Sequence, residues 1–338
     1  MNAPQSSLLH GGRLRAAAAH YQIPLENWLD LSTAINANPW PVPENLPAAI
    51  WQRLPETEDG LEIAARAYYG KPNVLPIPGS QAAIELLPRL LAAKRAWVPA
   101  VGYQEHAFCW QKLGYPLTRY HTLPSPMLLQ SDDVVVLINP NNPTGSAYAP
   151  EQIYSLALTL ERIGGWLIVD EAFMDSTPAH SVLMLPNCNA LIVLRSFGKF
   201  FGLAGLRLGF CVAKPALLDS LNAELGPWAV NHPARWIAKQ ALQDYDWHAE
   251  TRIQLRNHCE QTVNALRYLL SHAWPEISVV GIHPLFITLK ASDDSDQILY
   301  EQLAKQAILV RHFPEEKLLR LGIPANSAQL ERLINACR

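Results

Sequence analysis

Four continuous apolar runs punctuate the middle of the chain: Val134 to Ile138, Trp166 to Val169, Leu191 to Leu194 and Leu208 to Val212. Apolar runs of this length that do not alternate mark strands buried on both faces, as in a parallel sheet covered by helices. Helical spacing takes over between them, at Gln81 to Ala93 and at Pro150 to Arg162, the latter opening on a proline whose missing N–H a first turn does not need. Pro88 is expected to kink the former. Strand and helix in alternation predict an α/β fold, a mainly parallel sheet with helices on its faces. After Lys214 the texture changes to longer helical patterns at Pro233 to Asp244 and Ala249 to His272. The strand-like Leu285 to Leu289, a helix at Ser295 to Gln306, a strand at Ile308 to Val310 and a helix at Ser327 to Cys337 follow, predicting a smaller α+β domain.

Composition sharpens this picture. With 338 residues, 49% hydrophobic and 17% charged, the chain has material for more than one core, which excludes disorder and favours a large domain with a smaller companion. A net charge of -3 gives no electrostatic footprint for nucleic acid. No window approaches the roughly 18 apolar residues of a membrane span, and Met1 to His10 lacks a basic region followed by an apolar stretch, so a cytoplasmic protein is expected. The 27 prolines are scattered as loop punctuation, and five cysteines without a Cys-x-x-Cys pair point to buried free thiols rather than a metal site.

In an open α/β sheet, ligands bind beyond the carboxyl ends of the strands. Here those ends carry Asn139-Pro140-Asn141-Asn142-Pro143-Thr144-Gly145, then Asp170-Glu171-Ala172-Phe173, then Arg195-Ser196-Phe197-Gly198-Lys199 with Gly202, Gly205 and Arg207 behind. A lysine, an aspartate, an asparagine and an arginine so placed are the groups needed to hold pyridoxal 5'-phosphate. Lys199 supplies an amine that condenses with the aldehyde, and Asp170 keeps the pyridine nitrogen protonated so that the ring accepts electrons. Asn142 is expected to bond the ring hydroxyl, and Ser196 and Arg207 to bind the phosphate with backbone N–H groups of Gly79, Ser80 and Gln81 at a helix start. A magnesium-binding Asp-Glu of a nucleotide hydrolase would require a phosphate loop ending in Gly-Lys and then Ser or Thr. Gly70-Lys71 and Gly198-Lys199 are followed instead by Pro72 and Phe200.

These motifs, in this order, make the sequence resemble the fold-type I pyridoxal-phosphate enzymes of the aminotransferase class I and II family, from about His10 to Arg320. The resemblance implies an N-terminal arm and part of the small domain at 1–46, a large cofactor domain at 47–222 and a small domain at 223–338. It also implies a homodimer with active sites at the subunit interface, Tyr103 stacked on the cofactor ring, Lys199 as the catalytic residue and Arg320 as the carboxylate anchor. Arg311, in Ile308-Leu309-Val310-Arg311, offers a second planar fork suited to carboxylate or phosphate.

An arginine pair of this kind is similar to that of family members acting on phosphorylated substrates. His10-Gly11-Gly12, Ala16 to Ala19 and Trp28 to Asn36 resemble the opening of the branch that decarboxylates a phosphorylated amino acid, where the His-Gly pair contacts substrate. Phe173, standing where many aminotransferases carry a tyrosine, has no hydroxyl to donate and fits the same branch. The implied function is decarboxylation of O-phospho-L-threonine to (R)-1-amino-2-propanol O-2-phosphate in cobalamin biosynthesis, with His10, Gly11 and Arg311 on the phosphate, Arg320 on the carboxylate and Asn142 beside the substrate. The alternatives are an aminotransferase of the histidinol-phosphate type and a catalytically silent binding protein of the same fold. Two positions depart from the pattern: Leu54 replaces a tyrosine that relatives lend across the dimer, with Tyr68 or Tyr69 as substitutes, and Ala34 replaces glycine or asparagine.

Overall fold

The computed structural model describes residues 11–338, and the chain divides into two compact units. The larger comprises Asn38–Asn142 and Ser146–Ile253; the smaller comprises the segment ending at Ala37, Pro143–Gly145 and Gln254–Arg338. No helix of the described residues is long and apolar enough to cross a membrane.

The larger unit is built on a seven-stranded sheet in the order Val74–Ile77, Gly209–Val212, Leu191–Ser196, Trp166–Asp170, Asp133–Ile138, Arg95–Pro99 and Leu117–Tyr120. Val134, Val136, Ile168, Ile192 and Leu194 pack with Ile84 and Leu87 of the helix Ser80–Leu90, forming the core of one layer. Each such side chain removed from water contributes roughly 1.5–3 kcal/mol. The helix Pro150–Arg162 buries Ile153, Leu156, Ala157 and Leu160. The helix expected to reach Ala93 stops at Leu90, two residues past Pro88.

One strand differs from expectation. Gly209–Val212 runs antiparallel to both of its neighbours, Leu191–Ser196 and Val74–Ile77, whereas the other pairs are parallel. A parallel return needs a crossover of a dozen or more residues, usually with a helix lying on one face. The connection after Ser196 is twelve residues long but holds only the short helical turns Phe197–Phe200 and Ala204–Leu206 and no helix that could carry the chain back along the sheet, and the chain doubles back.

The smaller unit holds a four-stranded antiparallel sheet in the order Arg311–Phe313, Leu318–Gly322, Phe286–Ala291, Ile277–His283. Ile287, Leu289, Leu319 and Leu321 meet Leu266, Leu270, Leu299 and Leu303 in its core. The N-terminal segment joins this unit through Leu29–Asp30, paired parallel with Ile308–Leu309. The larger unit continues to Ile253 rather than ending at the expected 222. The cause is the helix His232–Gln243: its Arg235 bonds Asp59 at 2.7 Å and Glu62 at 2.8 Å, at the start of the helix Leu61–Tyr69. All five cysteines are buried and unpaired.

Candidate active site

Strand register places the expected cofactor residues along one edge of the large sheet. Ile77 and Ser196 both pair with Gly209, Leu194 pairs with Asp170, and Asp170 pairs with Ile138. Residues that leave the sheet at Ile77, Ile138, Asp170 and Ser196, and the one that enters at Gly209, therefore emerge together. Gly79 to Gln81, Asn142, Asp170, Ser196, Lys199 and Arg207 all lie on these connections, and Tyr103 follows the strand ending at Pro99.

Asp170 is 4% exposed, and its two oxygens are both engaged. Oδ1 accepts the backbone N–H of Ala172 at 3.0 Å, and Oδ2 lies 3.0 Å from His106 Nε2. The carboxylate is thus oriented by its own turn on one side and by a buried ring on the other. The Tyr103 ring lies edge-on to His106, with centroids 6.3 Å apart, and its hydroxyl donates to Gln81 at 3.1 Å. Burial, with help from Glu105 and Asp170, pushes the Tyr103 phenol well above its ordinary range, so it stays protonated at neutral pH.

Glu171 faces the opposite way from Asp170. It accepts from Ser181 Oγ at 2.5 Å and Val182 N at 2.9 Å, and pairs with Arg195 at 2.6 Å, which also bonds Asp175. This wholly buried cluster braces the turn that carries Asp170. Asn142 is braced as well: Asn141 donates from Nδ2 to Val101 O at 3.0 Å, and Asn139 Oδ1 accepts the N–H of Tyr148 at 2.8 Å, closing the loop between them.

The Lys199 ammonium nitrogen lies 5.4 Å from the centroid of the Phe173 ring. Across the edge, Gly79 caps the helix Ser80–Leu90 with φ 78° and ψ 154°, a conformation essentially reserved for glycine. A Cβ there would stand 2.9 Å from Arg207 Nη2. The absent side chain leaves a cradle with helix N–H groups on one wall and a guanidinium on the other, a setting for a phosphate.

The smaller unit holds the two arginines expected to bind anions. Arg311 and Arg320 are direct cross-strand partners, although nine positions apart, because a hairpin joins their strands. Arg320 is 5% exposed, lies with its guanidinium carbon 5.7 Å from the centroid of Phe286 and donates to Ser32 O. Burial and the neighbouring Arg311 push it down to about 9, against Asp30, leaving it charged at neutral pH. Arg311 lies 5.0 Å from the ring centroid of Phe313. Gly11 is packed where a methyl group would collide with Ser32 O, and Gly12 N donates to Ser32 Oγ at 2.8 Å. His10 lies outside the described residues. Ala34 has a positive φ of 52°, which explains why glycine or asparagine suits that position.

The aminotransferase class I and II family model matches residues 53–336. The chain belongs to that family. It is 45% identical over 326 residues to a threonine-phosphate decarboxylase of Pseudomonas aeruginosa, covering 96% of each chain, and 39% identical to a threonine-phosphate decarboxylase of a Sinorhizobium species, covering 99% of this chain and 98% of that one. Among solved structures, the histidinol-phosphate aminotransferase of Sinorhizobium meliloti in complex with pyridoxal-5'-phosphate superposes with a TM-score of 0.77 at 20% identity, over 100% of this chain and 97% of that one. That likeness establishes a fold-type I architecture.

Within this family member, sequence reasoning missed two groups. His106 touches Asp170, and its signal was a lone histidine on the apolar face made by Ala107, Cys109 and Trp110, three residues beyond Tyr103. Ser32 joins the glycines of the opening segment to Arg320, and Asp30 accepts from Ser32 Oγ at 2.6 Å. Neither Tyr68 nor Tyr69 extends away from its own fold. Tyr69 is buried against Arg195 and Phe210, and Tyr68 packs on Phe201 and His248 while accepting from Arg252 at 3.3 Å.

Proposed function

We propose that this chain is a pyridoxal 5'-phosphate-dependent decarboxylase that converts O-phospho-L-threonine to (R)-1-amino-2-propanol O-2-phosphate, serving cobalamin biosynthesis. The observation that carries the reading is the cross-strand arginine pair, one guanidinium for each anionic group of such a substrate, in a chain similar end to end to two threonine-phosphate decarboxylases. The residues fit the cofactor: the Gly79–Arg207 cradle suits its phosphate, Asp170 with His106 its ring nitrogen, Asn142 its ring hydroxyl, Tyr103 its ring face, and Lys199 its aldehyde. Gly79, Ser80, Gln81 and Ser196 complete the phosphate contacts.

When bound, the cofactor supplies an electron sink for the bond that breaks at Cα. The protein chooses the bond. Arg320 holds the carboxylate and Arg311, with Gly11 and His10, holds the phosphate, fixing rotation about the Cα axis so that the carboxylate rather than the hydrogen is aligned for loss. Carbon dioxide departs, and Lys199 Nζ delivers the proton that takes its place at Cα. Phe173, having no hydroxyl, leaves Asn142 as the side-chain donor proposed for the ring oxygen. The working form proposed is a cytoplasmic homodimer, which sedimentation velocity tests directly.

Purified protein given O-phospho-L-threonine is expected to release CO2 without any added oxo acid. Borohydride reduction is expected to fix the cofactor on Lys199, and Lys199→Ala to abolish both. Conversion of histidinol phosphate with 2-oxoglutarate, and no CO2 from O-phospho-L-threonine, would overturn the reading in favour of aminotransfer.

A further inference from the structure

A single row of residues runs straight across the small sheet. Arg311 pairs with Arg320, Arg320 with Thr288 and Thr288 with Gly281, so all four stand on one face. The first two are the anion anchors of the proposed reaction. The other two receive a different object: Thr288, wholly buried, donates its hydroxyl to the carbonyl of Pro143, and Gly281 is packed so closely that a methyl group would collide with the carbonyl of Thr144. Gly145 completes the fit, since a Cβ there would stand 3.2 Å from the backbone nitrogen of Ile282. Three residues of the Asn141–Gly145 loop, Pro143 to Gly145, therefore belong to the small unit, although their chain neighbours Asn142 and Ser146 belong to the large one.

We propose that Thr288 is a positioning residue for the reaction: its hydroxyl fixes the Pro143–Thr144 peptide, one residue beyond Asn142, from the same cross-strand row as the carboxylate anchor Arg320. The inference rests on the assignments of Arg320 and Asn142 made above. One strand residue then pairs with the anchor in register and holds the loop residue next in the chain after the amide assigned to the cofactor's ring hydroxyl. The bond matters because small displacements in a packed site carry large rate costs. Gly281 has the companion role of admitting the loop at backbone distance, which any side chain would prevent.

Thr288→Val keeps the β-branched shape and removes the donor, leaving a buried carbonyl unsatisfied. Thr288→Ser restores the donor. In the apoprotein, amide hydrogen exchange over residues 141–148 is expected to speed up roughly ten-fold in Thr288→Val, the factor that one buried hydrogen bond carries, and to stay at the wild-type rate in Thr288→Ser. In the holoenzyme, the pH midpoint of the visible absorbance is expected to shift in Thr288→Val alone, with kcat falling by roughly the same factor. If Thr288→Val does not fold, Thr288→Ala removes the same donor without adding any atom and is expected to give the same exchange and absorbance changes. A folded Thr288→Val protein with wild-type exchange and absorbance midpoint, or one indistinguishable from Thr288→Ser, would overturn the proposal. Wild-type protein that releases no CO2 would defeat the decarboxylase reading instead, while exchange and absorbance would still judge Thr288.

Discussion

At the scale of single residues, the site depends on side chains that are held rather than merely present. Asp170 has one oxygen on a backbone N–H and the other on His106. His106→Leu keeps the volume apolar and removes that hydrogen bond, and is expected to lower kcat by roughly ten-fold without changing the melting temperature by more than a few degrees, as steady-state kinetics and thermal unfolding will show. Gly79→Ala adds a Cβ beside Arg207 in a conformation that costs other residues about 1–3 kcal/mol. Its expected result is a weaker hold on the cofactor, measured by fluorescence titration of the apoprotein. Arg320 supplies a pH dependence whose direction is fixed by burial. Burial and Arg311 lower its pKa from the ordinary arginine range to about 9, so the guanidinium is charged at pH 7 and its hold on a carboxylate weakens only in the alkaline range. KM for O-phospho-L-threonine is therefore expected to be flat from pH 7.5 to 8.5, roughly, and to climb beyond 9. Arg320→Gln is expected to raise KM at every pH, and an unchanged KM in that variant would remove Arg320 from the anchor role.

At the scale of elements, the buried cluster of Arg195, Glu171 and Asp175 shows how a strand end is stiffened. Removing the cation leaves two carboxylates out of water with nothing to offset them, so Arg195→Met is expected to destabilise the protein by about 3–5 kcal/mol in urea unfolding. Legibility in the sequence follows the same physics. Val134 to Ile138 and Trp166 to Val169 are readable because strands buried on both faces have no polar positions to break the run. Val74–Ile77 contains Pro76 and Leu117–Tyr120 contains Thr118 and Arg119, as edge strands allow, and neither announces itself. The reversed direction of Gly209–Val212 is likewise invisible in its composition, since it goes with the lack of a crossover helix in the preceding connection and not with the strand itself. Pairing of Arg311 with Arg320 is a matter of register, which a nine-residue separation does not reveal. Burial of His106 against Asp170 joins residues 64 positions apart and has no local signature beyond its apolar neighbours.

At the scale of the molecule, the cofactor residues and the arginine pair fall to different compact units, with the Asn141–Gly145 loop shared between their chain segments. A net charge of -3 says nothing about where 27 lysines and arginines are placed, and Arg311 and Arg320 stand side by side in the smaller unit. The division also gives the cysteines a use. Cys109, Cys188 and Cys211 are sealed in the larger unit, Cys259 and Cys337 in the smaller, and none is paired. A thiol reagent reaches a buried sulfur only when the surrounding structure opens. Each cysteine is thus an internal timer: the order in which the five become alkylated, read by mass spectrometry in slowly rising denaturant, reports which unit opens first. Adding pyridoxal 5'-phosphate is expected to slow the three timers of the larger unit by mass action.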